Sequence, residues 1–220
     1  MPITLPEANL VYFPITKVAC TSLKQFFYEV RNKKRFSPPQ DTENRIHIHN
    51  HSPEFLSGPF RDAVDDKFDG MHRVTVVRDP AARILSSFSN RVLQHGELDE
   101  NHIDMDLAQK LGVGPRPSIK EFISNLEEYR LLSKSIRHHT DSQAYFIGPN
   151  LDYFTHVYAL EEIGKLTSLV NALAGSSVTL RHEQASGVKV SLSDISAPLR
   201  TKLYEYCYGD YALLKDFYVP

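Results

Sequence analysis

The chain has 220 residues, of which 41% are hydrophobic and 24% charged, and its 25 Lys and Arg against 27 Asp and Glu give a formal net charge of −2. This balance is typical of a globular protein and excludes disordered, collagen-like and coiled-coil chains. The near-neutral charge gives no support for a protein that coats nucleic acid or an anionic membrane, so any anion site must be local. We expect a single domain over residues 1–220.

The cysteine count and the first residues indicate the compartment. Cys20 and Cys207 are too few for a disulfide framework. Residues 1–13 contain neither a basic segment nor the sustained apolar run of a secretory signal, and no apolar run reaches the ~18 residues that span a bilayer. The sequence therefore predicts a soluble, cytoplasmic protein without a transmembrane segment, and it leaves the oligomeric state open.

The first predicted elements are a strand, a tight loop and a helix. Residues 9–15 are apolar and aromatic and predict a buried strand. Apolar side chains then recur at helical spacing, at Leu23, Phe26, Phe27 and Val30. Residues 31–44 are polar and contain proline, which predicts a loop, and the alternation over residues 45–49 predicts a half-buried strand.

The same arrangement occurs a second time. Residues 73–77 predict a β-branched strand, and Asp79-Pro80 is typical of a helix start. Residues 156–160 predict a further strand. The apolar residues of the predicted helices are Ile84, Leu85, Phe88 and Val92, then Ile119, Phe122, Ile123 and Leu126, then Ile163, Leu166, Leu169, Val170 and Leu173, and finally Leu199, Leu203, Tyr206 and Cys207. Strands that alternate with helices predict an α/β fold with a central, mainly parallel sheet flanked by helices, and ligands bind at the carboxyl ends of such strands.

The loop over residues 16–22 joins the first strand to the first helix. Helix N-termini present backbone N–H groups and the positive end of the dipole, which favour an anion, and this loop adds Lys17, Thr21 and Ser22. The chain contains no Walker A motif, which weakens an ordinary nucleotide triphosphatase interpretation. The alternative is a structural helix with Thr21 or Ser22 as its N-cap and Lys17 at the surface.

A second candidate anion loop begins at Arg78, directly after the strand over residues 73–77. A guanidinium held there can bind a phosphate through two N–H donors, and Ser86 lies two turns along the following helix. The alternative is an ion pair of Arg78 with Asp79 or a Glu that caps a structural helix. Alone, the motif Arg78-Asp79-Pro80 is a weak signal of a phosphate site.

Together the segments over residues 17–24 and 77–86 resemble the two cofactor motifs of the sulfotransferases that use 3′-phosphoadenosine 5′-phosphosulfate (PAPS). The likeness is greatest to the carbohydrate branch that contains the heparan sulfate 2-O-sulfotransferases, the HNK-1 type enzymes and their bacterial relatives. The resemblance implies a P-loop-like three-layer fold and a first loop that binds the 5′-phosphosulfate. The residues it assigns to that loop are Lys17, Ala19, Cys20, Thr21 and Ser22. It assigns the 3′-phosphate to Arg78 and Ser86.

Further segments resemble the same family less specifically. His139 to Gln143 keeps the His and Gln of the family's His-Trp-x-Pro-Gln segment, residues 158–163 resemble its strand before a Glu-bearing helix, and residues 203–218 resemble its closing helix. One departure lies in the first loop. The family has Pro immediately before the Lys, whereas Pro14 and Lys17 are separated here.

His47, His49 and His51 alternate at the end of the predicted strand, which puts them on one face if the strand continues. Zinc ligation, half-exposed strand histidines and a catalytic base are the three interpretations. The 2-O-sulfotransferases carry a His-x-His pair between their cofactor motifs, so the resemblance implies His51 as the first candidate base and His49 as the second. Glu54 is the reserve.

The resemblance therefore implies transfer of a sulfuryl group from PAPS to a hydroxyl of a carbohydrate, glycolipid or small acceptor, and we expect no metal. Lys17 is expected to stabilise the leaving oxygen. The basic residues at 31–35 predict either a surface that holds an acidic glycan or a solvated helix end. A P-loop-like kinase that uses ATP and Mg²⁺ and a non-enzymatic, His-rich zinc-binding module are the alternatives.

Overall fold

The computed structural model describes residues 2–37, 47–181 and 187–220. The strands are β1 (Ile3–Leu5), β2 (Leu10–Phe13), β3 (His72–Val77) and β4 (His156–Ala159). The α-helices are α1 (Cys20–Asn32), α2 (Ile48–His51), α3 (Pro80–Ser87), α4 (Met105–Leu111), α5 (Ile119–Ser124), α6 (Leu126–Leu132), α7 (Lys134–Thr140), α8 (Gln143–Ile147), α9 (Ile163–Ala174), α10 (Ala197–Tyr206) and α11 (Tyr208–Leu213). A π-helical segment, Phe88–Gln94, continues α3. No helix within the described ranges is long and apolar enough to cross a membrane.

The strands form one sheet in the order β1-β2-β3-β4. The pairs β2/β3 and β3/β4 are parallel, whereas β1 pairs antiparallel with β2. The prediction of an α/β chain with a mainly parallel sheet flanked by helices is confirmed. The sequence analysis missed β1, because three residues are too few to show a period.

The two central strands end at the same edge of the sheet. All of β2 is buried, as a near-continuous apolar run requires in a sheet that is covered on both faces. Its last residue, Phe13, pairs with Thr75, whose hydroxyl donates to the Phe13 carbonyl over 2.9 Å. The chain therefore leaves β2 and β3 at neighbouring points, and the loops that follow them start side by side.

Helix α1 packs by the apolar stripe that the sequence predicts. Its buried residues include Leu23, Phe26, Phe27 and Val30. The ring of Phe27 stacks on Tyr12 of β2 with centroids 4.8 Å apart, which fixes the helix against the sheet. A charged residue, Lys24, shares this buried face and is only 1% exposed.

The chain divides into two units. One comprises Met1–Arg78 and Gln143–Ala185 and contains the sheet with α1, α2, α8 and α9. The other comprises Asp79–Ser142 and Ser186–Pro220 and contains the remaining α-helices. The helical unit has its own apolar core, built from residues such as Ile84, Leu85, Phe88, Phe122, Ile123, Leu126, Ile136 and Leu203.

Buried polar groups join the helices of the second unit. Arg83, 1% exposed, donates to the backbone carbonyl of Asp141 and lies 4.0 Å from the carboxylate of Asp210. Burial lowers the pKa of Arg83, and the nearby Asp210 opposes that change. Asp79 caps α3 through the N–H of Ala82 at 2.7 Å and accepts a hydrogen bond from the Tyr211 hydroxyl at 3.0 Å. These contacts hold α3, α7 and α11 together.

The predicted strand over residues 45–49 is wrong where the structure describes it. Residues 45 and 46 lie outside the described ranges, and Ile48–His51 forms the helical turn α2. The ring of His47 accepts a hydrogen bond from the N–H of His49, which replaces the partner that a neighbouring strand would supply. Ile48 is the only buried residue of this described turn.

Candidate functional site

The loop between β2 and α1 has an uncommon backbone. Lys17 and Ala19 are left-handed, with φ of 63° and 48°. Each such residue costs about 1–2 kcal/mol when it is not glycine, so the surroundings must impose the conformation. Ile15 and Val18 are fully buried on either side of Lys17 and anchor the loop to the core. Strain of this kind is concentrated at functional sites.

The N-cap of α1 is Ala19, and it provides no side-chain cap. The alternative interpretation, in which Thr21 or Ser22 is the N-cap of this helix, is therefore wrong in that assignment. Both lie in the first helical turn, because the left-handed Ala19 turns the chain into the helix before them. An uncapped first turn presents N–H groups and the positive end of the helix dipole, which together favour an anion.

Arg78 connects the second loop to the first. Its guanidinium donates to the backbone carbonyl of Lys17 over 2.9 Å. A guanidinium carries five N–H donors, of which this bond uses one. The resemblance assigns Lys17 to the 5′-phosphosulfate and Arg78 to the 3′-phosphate, and these two residues lie on adjoining loops within the first unit.

The buried side chain of Gln143 fixes the backbone at Arg78. Its Oε1 accepts a hydrogen bond from the Arg78 N–H at 3.0 Å, and its Nε2 donates to the Arg78 carbonyl at 2.7 Å. Gln143 is fully buried, so neither bond competes with water. The resemblance singled out Gln143 without a role, and the geometry supplies one.

Other predicted residues lie in the second unit. Ser86 is half-buried on α3, and its part in a phosphate site stays a prediction. His139 lies on α7, where its Nδ1 is 2.8 Å from the carbonyl of Ser135. This unit also contains a cavity of ≈ 400 Å³ lined by residues of α5 and α10, and none of the predicted site residues lines it.

His49 lies beside the first loop. Its Nε2 is 3.1 Å from the Thr21 hydroxyl and its Nδ1 is 2.8 Å from Nζ of Lys24. The same Nζ donates to the Ser57 hydroxyl at 3.0 Å. The sequence analysis missed Lys24 and Ser57. A lysine at a core-facing position of an amphipathic helix was the signal for the former.

His51 lies elsewhere on the turn. It is exposed, and its ring contacts Tyr28 and Phe36 with centroids 5.2 and 5.3 Å apart. The expectation that His49 and His51 share one face is wrong, because residues two apart on a helical turn face different directions. Glu54, the reserve base, forms an ion pair with Arg31 at 2.7 Å. Within the described ranges, no three His, Cys, Asp or Glu side chains are grouped to hold a metal ion.

Burial changes the acidity of Lys24. Removal of the ammonium from water lowers the pKa of Lys24 from 10.5 to about 8, and the neighbouring Cys20 opposes this shift. At neutral pH the side chain is therefore still predominantly an ammonium ion, and it donates hydrogen bonds only. Strongly shifted lysines are concentrated at functional sites.

The comparison with protein families decides the assignment. A sequence model of the sulfotransferase family matches residues 3–218, which include both loops. The chain belongs to the sulfotransferase family. No curated protein and no solved structure matches the chain. Membership supports sulfuryl transfer as the activity of this sulfotransferase, and the carbohydrate branch stays a prediction.

Gln143→Leu removes both bonds to the Arg78 backbone of the sulfotransferase. We expect the free energy of unfolding to fall by about 2 kcal/mol or more, because a buried N–H and a buried carbonyl lose their partners. Chemical denaturation measures the loss, and the exposed Gln109→Leu serves as the control, with a change within about 0.5 kcal/mol. Equal stability of the two variants contradicts the role of Gln143.

Lys24→Met tests the buried ammonium. Folding lowers the pKa of Lys24, so between about 8 and 10.5 the folded chain binds fewer protons than the unfolded chain, and this contribution to stability rises with pH. From pH 7 to pH 9 we expect the free energy of unfolding to rise by about 1 kcal/mol more in the wild type than in Lys24→Met. Denaturation at both pH values measures the difference, and parallel curves contradict it.

Proposed function

We propose that this sulfotransferase transfers a sulfuryl group from PAPS to a hydroxyl of a carbohydrate, glycolipid or small acceptor. The observation that carries the proposal is the 2.9 Å hydrogen bond from the Arg78 guanidinium to the Lys17 carbonyl, which joins the two motif loops. A donor with phosphate groups on the 3′ and 5′ positions of one ribose needs two cationic loops that adjoin.

The residues present fit an anionic donor. The first loop offers the backbone N–H groups of an uncapped helix start, the ammonium of Lys17 and the hydroxyls of Thr21 and Ser22, and we assign it the 5′-phosphosulfate. We assign the 3′-phosphate to Arg78, and the part of Ser86 stays the prediction that the resemblance makes. PAPS supplies an activated sulfuryl group whose leaving group is a phosphate.

The protein's part in the reaction is to position the reactants and to neutralise developing charge. Sulfuryl transfer is an in-line displacement: the S–O bond to the leaving phosphate breaks, and a new S–O bond to the acceptor oxygen forms. Lys17 stabilises the negative charge on the departing oxygen. A preorganised loop adds to this effect because its N–H groups need no reorientation during the reaction.

The acceptor hydroxyl must lose its proton, and we propose His51 as the base. Its ring nitrogens form no hydrogen bond with any residue in the described part of the chain, and the ring is exposed to an incoming acceptor. The other candidates are engaged: His49 contacts Thr21 and Lys24, and Glu54 pairs with Arg31. A positioned base of this type contributes roughly 10²- to 10⁴-fold.

The acceptor class follows from the resemblance to the carbohydrate branch, and one surface is compatible with it. Lys33, Lys34 and Arg35 are exposed at the end of α1, whereas Arg31 is held by Glu54. We propose this basic surface as a secondary contact for an acidic glycan. Its removal is expected to raise the KM for such an acceptor and to leave donor binding intact.

Thermal shift with different ligands tests the donor class. We expect adenosine 3′,5′-bisphosphate to raise the unfolding midpoint by mass action, and ATP with Mg²⁺ or zinc to raise it less. Lys17→Ala and Arg78→Ala are expected to abolish the shift, whereas the exposed Lys110→Ala and Arg61→Ala retain it. A larger shift with ATP and Mg²⁺ favours a kinase, and one with zinc favours a metal-binding module.

His51→Ala tests the base. We expect turnover to fall by ~100-fold or more with the affinity for adenosine 3′,5′-bisphosphate nearly unchanged, because the base acts on the acceptor and not on the donor. Sulfate transfer from labelled PAPS measures turnover, and Asn50→Ala, an exposed neighbour on the same turn, is the control. Turnover equal to that of the control removes His51 from the mechanism.

A further inference from the structure

Lys24 is a charged group for which the fold itself gives no reason. It lies on the apolar face of α1, 1% exposed, where a charge is unfavourable unless it is paired and hydrogen-bonded. Its ammonium contacts His49 at 2.8 Å and Ser57 at 3.0 Å, and Cys20 is the nearby group that raises its pKa. An apolar residue such as leucine would pack here without any charge. The position therefore calls for a functional explanation.

The ammonium fixes the tautomer of His49. An ammonium ion has no acceptor, so Nδ1 of His49 must accept the hydrogen bond from Lys24. A neutral imidazole then carries its proton on Nε2, which donates to Oγ1 of Thr21 at 3.1 Å. The ring is thus a donor where it meets the loop.

This arrangement leaves the hydroxyl proton of Thr21 without an acceptor. Thr21 is only 6% exposed, and its side chain makes no second hydrogen bond within the described part of the chain. A buried hydroxyl donor that lacks an acceptor is unfavourable. It lies in the uncapped first turn of α1, beside the left-handed Ala19, where the backbone already favours an anion.

We propose that Lys24, His49 and Thr21 form a hydrogen-bond chain that makes the Thr21 hydroxyl a fixed donor to the anionic sulfuryl donor in the first loop. Lys24 and His49 are then positioning residues, and His49 is not the base. This inference rests on the proposed function. It adds the assignment of a buried lysine and a histidine to the donor site, acting through a single hydroxyl.

The charge state of Lys24 at neutral pH supports the proposed hydrogen-bond chain. Burial lowers the pKa of Lys24 to about 8, so at pH 7 about nine-tenths of the side chains are ammonium ions. A bound anion stabilises that form further. The cation also adds a positive charge near the N-terminus of α1, with the same sign as the N-terminal end of the helix dipole.

His49→Gln and His49→Phe separate a positioning role from a base. Glutamine accepts through Oε1 and donates through Nε2, as the proposed tautomer does, but it cannot take up a proton. We expect His49→Phe to weaken adenosine 3′,5′-bisphosphate binding by about tenfold or more, and His49→Gln to recover most of that affinity with kcat within about tenfold of the wild type. Calorimetry and labelled PAPS measure the two quantities. Loss of kcat in His49→Gln with full affinity makes His49 the base and overturns the proposal.

A double-mutant cycle tests the connection to Thr21. We expect Thr21→Val to weaken binding by about tenfold, Thr21→Ser to restore it, and Lys24→Met to add little to Thr21→Val because both interrupt the same chain. The proposal is overturned if Lys24→Met and Thr21→Val each weaken binding and the loss of affinity in the double variant is the product of the two. It is also overturned if Thr21→Val binds with full affinity. If the wild type itself does not bind adenosine 3′,5′-bisphosphate, the proposed function fails. Failure of the cycle in a wild type that binds rejects only the chain.

Discussion

The parallel pairing of β2 with β3 is the constraint on which the site depends. Parallel strands have their carboxyl ends at one edge of the sheet, so Lys17 and Arg78 meet although they are 61 positions apart in the sequence. The Arg78 to Lys17 bond uses this proximity: it holds the carbonyl of a left-handed residue and so helps to impose a backbone that Lys17 would not adopt alone. If the strands paired in another register, the two loops would not meet and neither motif would have a partner.

The first unit places unfavourable groups at that edge and compensates each one locally. Buried apolar neighbours anchor the two left-handed residues, Lys17 and Ala19. The fully buried Gln143 forms hydrogen bonds with the backbone N–H and carbonyl of Arg78. The Lys24 ammonium forms hydrogen bonds with His49 and with the Ser57 hydroxyl. None of these devices is needed to build a sheet covered by helices. These unfavourable groups are concentrated around two loops, and proteins in general tolerate destabilising groups at the sites where ligands bind. The second unit differs, because its buried pair of Arg83 and Asp210 joins helices.

The features that could be predicted from the sequence are those that a pattern within a few neighbouring residues indicates. The apolar run of β2, the stripe of α1 and the β-branched β3 show their periods within a few residues, so both strand-loop-helix units and the two motif loops were predictable. The turn Ile48–His51 was not, since five alternating residues fit a strand equally well. Gln143 was visible only as a match to a motif, because its function is a contact across 65 residues. Lys24 was visible only as an anomaly in an apolar stripe, and its meaning depends on partners that the sequence does not place.

The helical turn α2 gives His49 and His51 different neighbours. On a strand, both side chains would lie on the same face. On this helical turn, His49 contacts Thr21 of the first loop. His51 contacts Tyr28 and Phe36 instead. A histidine that is held at both nitrogens has a fixed tautomer and suits a structural relay, whereas one with an unengaged ring can exchange a proton. The Lys24 ammonium can only donate, so Nδ1 of His49 accepts and its Nε2 is the donor toward Thr21. Under the proposed function, the protonation of Lys24 therefore favours His51 over His49 as the base.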